Sequence, residues 1–363
     1  MLPHAGAQPE SPLPDANLSL RSGPRIVAIG GGTGLPNVLR GLRPMLFGVD
    51  TDVPRERLIA IVATSDDGGS SGRLRAEFNV IPPGDIRNCL AALSDNQSQI
   101  ADIFQYRFGA GEGLNGHSIG NLVLTALADV TNDFTKAVEI ASRVIGARGV
   151  VLPATSELVT LVAEFADGRT LSGETAISKA RGRILRLSLL PERPRCSASV
   201  IEALGRADVI VAGPGSLFTS ILPPLLVPDV TSAIERSHAI RILVANLMTE
   251  PGETDELSVL EHLLTIERHL GRQLFDCVIY NTMPIPEALA SSYEQRGATP
   301  IAASSFELNA FERLGLHAIG VPLASEHPSG KVRHHPERLA AAIAALAQGK
   351  LGAGRRRAKV GGL

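Results

Sequence analysis

The sequence predicts an α/β protein with a mostly parallel sheet and a small β-rich insertion. Three observations carry that reading. Apolar runs of strand length recur as RIVAIG at 25–30, LIAIVAT at 58–64, DVIVA at 208–212, RILVA at 241–245 and CVIY at 277–280. Each ends in a small or polar loop before a helical stretch, the pattern of repeated βα units. Between the two groups of runs, residues 152–191 change character: LVTLVAEF and RTLSGETAI flank Ala166-Asp167-Gly168, a hairpin signal.

Taken in order, ordered structure begins near Arg25, after a lead at 1–24 that carries Pro3, Pro9, Pro12, Pro14 and Pro24 and reads as disordered. The strand at 25–30 passes through a glycine turn into a helix over Leu35–Leu42, and Phe47–Glu56 reads as a surface excursion. After the second strand, Ser65–Gly72 reads as a loop. Helical spacing follows at Asp85–Ser94, Asn121–Ala128 and Phe134–Ile145. Within the insertion, Arg183–Leu189 adds a further strand. A single domain is expected over 25–335, then a C-terminal helix within 336–348 and a disordered basic tail at 349–363 with Arg355, Arg356, Arg357 and Lys359. In an open parallel sheet the five loops after residues 30, 64, 212, 245 and 280 gather on one edge, where ligands bind.

Composition narrows the function classes. Hydrophobic residues make up 44% and aromatics only 4%, with no Trp, so the core is aliphatic. A net charge of −2 argues against a broad face for nucleic acid. Cys89, Cys196 and Cys277 are far apart and form no C-x-x-C pair, so neither a disulfide framework nor a structural zinc site is indicated. No uninterrupted apolar stretch is long enough for a membrane span, and the first residues do not read as a signal peptide.

Six motifs carry the chemistry. Gly31, Gly32, Thr33 and Gly34 form a turn whose N–H groups can converge on phosphate at a helix N-terminus. A turn that needs glycine for steric reasons alone is the alternative. In SDDGGSSGRLR, Asp66 and Asp67 suit a ribose, a sugar hydroxyl or Mg²⁺, Ser70 and Ser71 offer hydroxyls, and Arg73 and Arg75 suit a diphosphate. In PPGDIRN, Asp85 suits an N-cap, while Arg87 and Asn88 either face the site or the solvent. In GHSIGN, which ends at Asn121, His117 is either a phosphate donor or a structural histidine. Gly213, Pro214, Gly215, Ser216 and Ser220 repeat the logic of the first turn in the second half of the sheet. Thr249 belongs to NLMTEPGET, a loop that either closes over a ligand or merely connects. His262 and His269 mark a partly exposed helix face rather than a metal site. No G-x-S-x-G, H-E-x-x-H or Cys–His pairing supplies a nucleophile.

These motifs together resemble one family. IVAIGGGTGLPNVLRGL, SDDGGSSGRLR, PPGDIRNCLAALSD, GHSIGNLVLTAL, ADVIVAGPGSLFTSILP and NLMTEPGETDELS are similar to the YvcK proteins, the gluconeogenesis factors of bacteria, within the CofD-like superfamily. The resemblance runs from about residue 25 to 284 and more weakly to about 335; Pro224 stands where Asn is usual, and Glu250 where Gln is usual. It implies a Rossmann-like three-layer fold, a cytoplasmic location and a regulator that binds UDP-sugars such as UDP-N-acetylglucosamine. It further implies a role in cell shape and wall growth on gluconeogenic carbon. A homodimer stays open, and a regulator would need a protein partner that the sequence does not name. The CofD branch implies the alternative, a 2-phospho-L-lactate transferase using a nucleotide-diphosphate donor and magnesium. A nicotinamide-dependent oxidoreductase ranks last, because the glycine spacing is not G-x-G-x-x-G.

Overall fold

The computed structural model describes residues 23–48, 52–95, 98–327 and 330–349. The proline-rich lead up to residue 22, the basic tail from residue 350 and part of the expected excursion, 49–51, lie outside the described residues. In chain order the strands are β1 (Ile26–Gly30), β2 (Leu58–Val62), β3 (Val150–Pro153), β4 (Thr160–Phe165), β5 (Thr170–Ser172) and β6 (Ile184–Leu190). They continue as β7 (Val209–Ala212), β8 (Ile240–Val244), β9 (Cys277–Asn281), β10 (His317–Val321), β11 (Ala324–His327) and β12 (Lys331–His334).

Seven of these form a wholly parallel sheet in the order β10-β9-β8-β7-β1-β2-β3. The chain builds outward from β1 in one direction, then returns to its other side with β7, so the order reverses between β1 and β7. Crevices for ligands open at such a reversal. Strands of this kind are covered on both faces, hence their unbroken apolar runs. In β1, Ile26 and Ala28 pack on one helical layer, and Val27 and Ile29 on the other. The first layer contains α1 (Gly34–Phe47), α3 (Gly84–Leu93), α4 (Gln99–Gln105), α5 (Ile119–Thr131), α6 (Phe134–Val144) and the last helix, Pro336–Ala347. The second contains helices Ala198–Gly205, Pro228–Arg236, Val259–Leu270 and Ser305–Arg313. The expected three-layer α/β fold is therefore the observed one.

Several boundaries move for physical reasons. Helix α1 runs past Pro44 to Phe47, because Leu46 and Phe47 extend the buried stripe of Leu35, Val38, Leu39 and Leu42. It ends at Gly48, whose positive φ lets its N–H return to the Pro44 carbonyl. Phe47 is thus core rather than surface. The Ser65–Gly72 segment is only half a loop: α2 (Gly69–Phe78) begins inside it.

The insertion is a three-stranded antiparallel sheet, β5-β4-β6, turning at Gly168 with φ +87°. Two corrections apply to it. Leu152 and Pro153 belong to β3 of the main sheet, so the insertion starts after them. The segment GETAI is not strand, because Gly173 (φ +96°) breaks β5 and α7 (Glu174–Lys179) follows. Strand β10 and the hairpin β11–β12 were invisible to the apolar-run reading, since their residues are mostly half-buried or exposed. Among the described residues no single helix is long and apolar enough to cross a membrane.

Candidate functional site

The two glycine turns singled out by sequence lie side by side at the sheet reversal. The Gly213 N–H donates to the Ile29 carbonyl at 3.0 Å, which locks the end of β7 to β1. Gly32 and Gly213 take φ of +59° and +77°, conformations that side chains disfavour. A Cβ on Gly34 would fall 1.9 Å from the Pro214 carbonyl oxygen, so the start of α1 rests directly on the second turn. Thr33, the N-cap of α1, makes no side-chain cap bond, and the first turn holds no acidic residue. Its N–H groups and the positive helix end are therefore left for an anion.

Asp85 supports this turn from below. It does not cap its own helix; Pro83 occupies that position without a side-chain bond. Instead its Oδ2 accepts from the Gly32 N–H at 2.6 Å, across 53 residues of sequence. A Cβ on Gly31 would lie 2.7 Å from the same oxygen. Although part of the residue reaches solvent, the carboxyl group is enclosed, and burial pushes its pKa up to about 6.

Above the turns opens a cleft of about 580 Å³. Gly32, Thr33, Gly34, Pro214, Gly215, Ser216, Ser220 and Thr249, all candidates from the sequence, line it. So do Asn246 and Glu250 of the NLMTEPGET loop, and residues the sequence reading missed: Asn37, Glu174, Tyr293, Arg296, Arg333 and His334. Asn246 ties the loops together, accepting from Gly215 N–H at 3.2 Å and donating to Gly215 O at 2.9 Å. Ser216 Oγ donates to Glu253 at 2.6 Å, while Thr249 is bonded to Thr299.

The far wall is the hairpin β11–β12. Arg333 donates to Thr33 Oγ1 at 2.5 Å, and His334 Nε2 donates to the Ala245 carbonyl at 3.0 Å. Burial lowers the His334 pKa to about 4, so the ring is a neutral strut rather than a charge. Arg296 and Arg333 give this wall two guanidinium groups suited to paired phosphate oxygens. Nothing in the local sequence marked them, because they lie beyond the glycine motifs on elements without an apolar signature.

Other predicted residues form a second group beside the cleft rather than in its lining. Arg87 is buried and donates to Ser118, to Asn121 at 2.8 Å and to Asn88 at 2.8 Å. Asn121 donates to Ser70 at 3.0 Å, and Ser70 bonds His117 Nδ1 at 2.9 Å. Burial and then the nearby Arg73 lower the His117 pKa, so it too is neutral. Arg73 is exposed and donates to the Asn115 carbonyl, while Arg75 reaches Thr160 in the insertion. Ser70, Ser71 and Arg73 thus stand on α2, not on a loop. These groups fix α2, α3 and α5 to one another around the site.

The adjacent carboxylates part company. Asp67 Oδ1 accepts from the N–H and the hydroxyl of Thr175, at 2.8 and 2.7 Å, and so caps α7. That leaves it poorly placed as a metal ligand. Asp66 accepts from Gly68 N–H at 2.8 Å and faces Gly84, its other oxygen 3.3 Å from where a Cβ would stand. Glu174, at the start of α7, meets Ser65 and lines the cleft. Burial and then the charges of Asp66 and Asp85 push its pKa up to about 9. Among the described residues no group of three or more His, Cys, Asp or Glu side chains is arranged to hold a metal ion. Asp66 remains as one carboxylate of the kind Mg²⁺ takes together with phosphate oxygens. A larger cleft, about 940 Å³, lies at the amino ends of the strands beside Arg25 and Asp208, and none of the candidate site residues lines it.

With this geometry in hand, comparison with known proteins is informative. The profile of the family described as 2-phospho-L-lactate transferase CofD matches residues 26–324. A relative in Nostoc sp. is 46% identical over 327 residues, covering 90% of this chain and 69% of its own length. A gluconeogenesis factor of Bacillus subtilis is 41% identical over 323 residues, covering 89% of this chain and 98% of its own. A crystal structure of a UPF0052-family protein from Bacillus halodurans matches with a TM-score of 0.81 at 39% identity, covering 88% of this chain and 98% of that one.

Proposed function

The chain belongs to the CofD family and is similar to its gluconeogenesis-factor members, and from this premise we propose that it is a regulator that binds a UDP-sugar. The observation that carries the reading is the pairing of the two glycine turns at the sheet reversal, with Gly34 against Pro214. The diphosphate lies across both turns, where N–H groups and the start of α1 meet its charge. Arg333 and Arg296 reach it from the opposite wall. The sugar extends toward Asn246 and Thr249. The ligand's occupancy reports carbon supply, and the liganded protein acts in the cytoplasm to sustain cell shape and wall growth on gluconeogenic carbon. The absence of an evident nucleophile favours a sensor over a catalyst. Where Mg²⁺ accompanies the diphosphate, Asp66 is the carboxylate that would hold it, and the ion would offset phosphate charge.

Thermal unfolding against UDP-N-acetylglucosamine, UDP-glucose, GDP and NADH, each with and without Mg²⁺, tests this. A ligand at 100 times its Kd adds about 2.7 kcal/mol, enough to move the midpoint. A response to UDP-sugars supports the proposal; a response to none of the four removes it.

A second reading, transfer of a phosphorus-containing group, is favoured by Glu174. A carboxyl group with a pKa of about 9 is a proton donor at neutral pH, and this one lines the cleft beside the glycine turns. Turnover of a nucleotide-diphosphate donor with a 2-phospholactate-type group, lost in Glu174→Gln, would move the assignment to this reading.

A further inference from the structure

The loop after β8 brings two carboxyl groups to one hydroxyl. Glu250 lines the cleft, and Glu253 stands three residues on, across a tight turn. In that turn the N–H groups of Glu253 and Thr254 both return to the Glu250 carbonyl, and Glu250 N–H donates to Thr254 Oγ1 at 2.8 Å. The turn therefore holds Glu250 rigidly. Ser216, from the second glycine turn, lies beside both carboxyl groups. A hydroxyl has one hydrogen, and this one goes to Glu253 at 2.6 Å. Glu250 Oε2 is left buried without a hydrogen-bond partner.

A bare carboxylate here would be poorly placed on two counts. Its Oε2 would lack a donor, and the group would face the same cleft as the glycine turns. Both faults ease if the group carries its own proton: a neutral group tolerates a buried, unpartnered Oε2 better than a charged one does, and a hydroxyl on the oxygen that reaches the cleft becomes a donor to an incoming oxygen. We propose that Glu250 binds the ligand as a neutral carboxylic acid, donating its proton to an oxygen of the nucleotide sugar. Affinity then falls once that proton is lost. This deepens the nucleotide-sugar reading and rests on it.

The surroundings agree. Burial, then the charge of Glu253, raises the Glu250 pKa to about 7, against a smaller opposing effect of Ser216. The other charged or titratable groups nearby are Asp255 on the same loop, which accepts from Gly252 N–H, and Glu174 and Arg181 from the insertion. Arg296, Arg333 and His334 line the rest of the cleft. None of these acts on Glu250 as strongly as Glu253 does.

The test is calorimetric titration of the full chain with UDP-N-acetylglucosamine from about pH 6 to about pH 8, below the ionisation of the uracil imide. Its diphosphate is a diester with no ionisation near neutrality, so within that range the protein supplies any pH dependence. Wild type is expected to hold a constant Kd at low pH and to weaken by up to about tenfold per pH unit above the Glu250 value. Glu250→Gln keeps a donor at every pH, so it is expected to bind at the low-pH affinity throughout. Repeating the wild-type titration at pH 8 in buffers of different ionisation heat reads proton uptake directly, without any variant. Uptake approaching one proton per ligand is expected. A wild-type Kd flat across the range with no proton uptake overturns the proposal while leaving nucleotide-sugar binding intact. A Glu250→Gln variant, folded by its thermal midpoint, that keeps the wild-type pH profile overturns it as well. No binding at any pH removes the underlying reading and the proposal with it.

Discussion

Gly34 and Pro214 touch across 180 residues of sequence, so closely that a single methyl group at Gly34 would lie 1.9 Å from the Pro214 carbonyl oxygen. The contact joins the helix start after β1 to the turn after β7, and so sets how closely the two turns approach each other. Gly34→Ala is expected to destabilise the fold by about 1–3 kcal/mol as the turns are forced apart. It is also expected to reduce UDP-sugar binding more than stability alone explains. Urea denaturation and calorimetry on the same preparation separate the two effects.

Asp85 anchors the first turn through Gly32. Asp85→Ala leaves that N–H unpaired and is expected to cost about 1–3 kcal/mol. Asp85→Asn keeps an acceptor and is expected to lose less. The order of the two unfolding midpoints checks the assignment of Asp85 as a support for the turn rather than a helix cap.

This support also shows how far sequence reasoning reached. The apolar runs located five central strands, and their glycine motifs located the two turns that meet at the sheet reversal, because both signals are local. The partner of Gly32 was not local: PPGDIRN suggested a cap for its own helix, and only the packing of α3 against α1 and β2 turned Asp85 toward the glycines. In the same way Asp67 looked like half of a ligand pair, yet it caps a helix 108 residues away. Arg333 was illegible because hairpin β11–β12 has little buried surface and therefore no apolar pattern, and Arg296 because it sits in the exposed turn after the helix Glu287–Glu294. Strand periodicity reports burial, and a cleft wall is the part of a fold that is not buried.

Arg333 closes that wall by donating to Thr33. Arg333→Ala is expected to weaken UDP-sugar binding by about 1.5–3 kcal/mol, the value of a charge-assisted hydrogen bond. Its unfolding midpoint is expected to stay close to wild type, since the residue is not part of the core. Parallel calorimetry and thermal unfolding check this.

Arg87 is expected to behave in the opposite way. It holds Ser118, Asn121 and Asn88 in a buried network that joins α3 to α5. Arg87→Ala strands those partners and is expected to cost about 1–3 kcal/mol in stability, the penalty for buried polar groups left unpaired. Any effect on the ligand affinity of the folded fraction is expected to be smaller than that of Arg333→Ala. Urea titration against ligand titration gives the comparison.

Stability is expected to fall as pH rises above neutrality. Glu174 is held at about 9, above its ordinary 4.5, so the folded chain binds more protons than the unfolded chain between those values. Its contribution is complete below the unfolded value and is lost as pH rises through about 9. The buried His117, His262 and His334 and the half-buried His269 have lowered pKa values, so their effect falls on the acid side and leaves the range above pH 7 to the carboxyl groups. Glu174→Gln is expected to flatten the decline between pH 7 and 9, as urea midpoints would record.

In the proposed complex a nucleotide-sugar diphosphate lies across the two glycine turns at the reversal between β1 and β7. A crystal structure of the protein with UDP-N-acetylglucosamine tests it most directly. Phosphate oxygens are expected within hydrogen-bonding distance of backbone N–H groups in 31–34 other than Gly32, which Asp85 holds, and of the Ser216 N–H, since the Gly213 and Gly215 N–H groups are already bonded and Pro214 has none, with Arg333 on the opposite side. Nucleotide density elsewhere, for example in the cleft beside Arg25 and Asp208 at the amino ends of the strands, would contradict it.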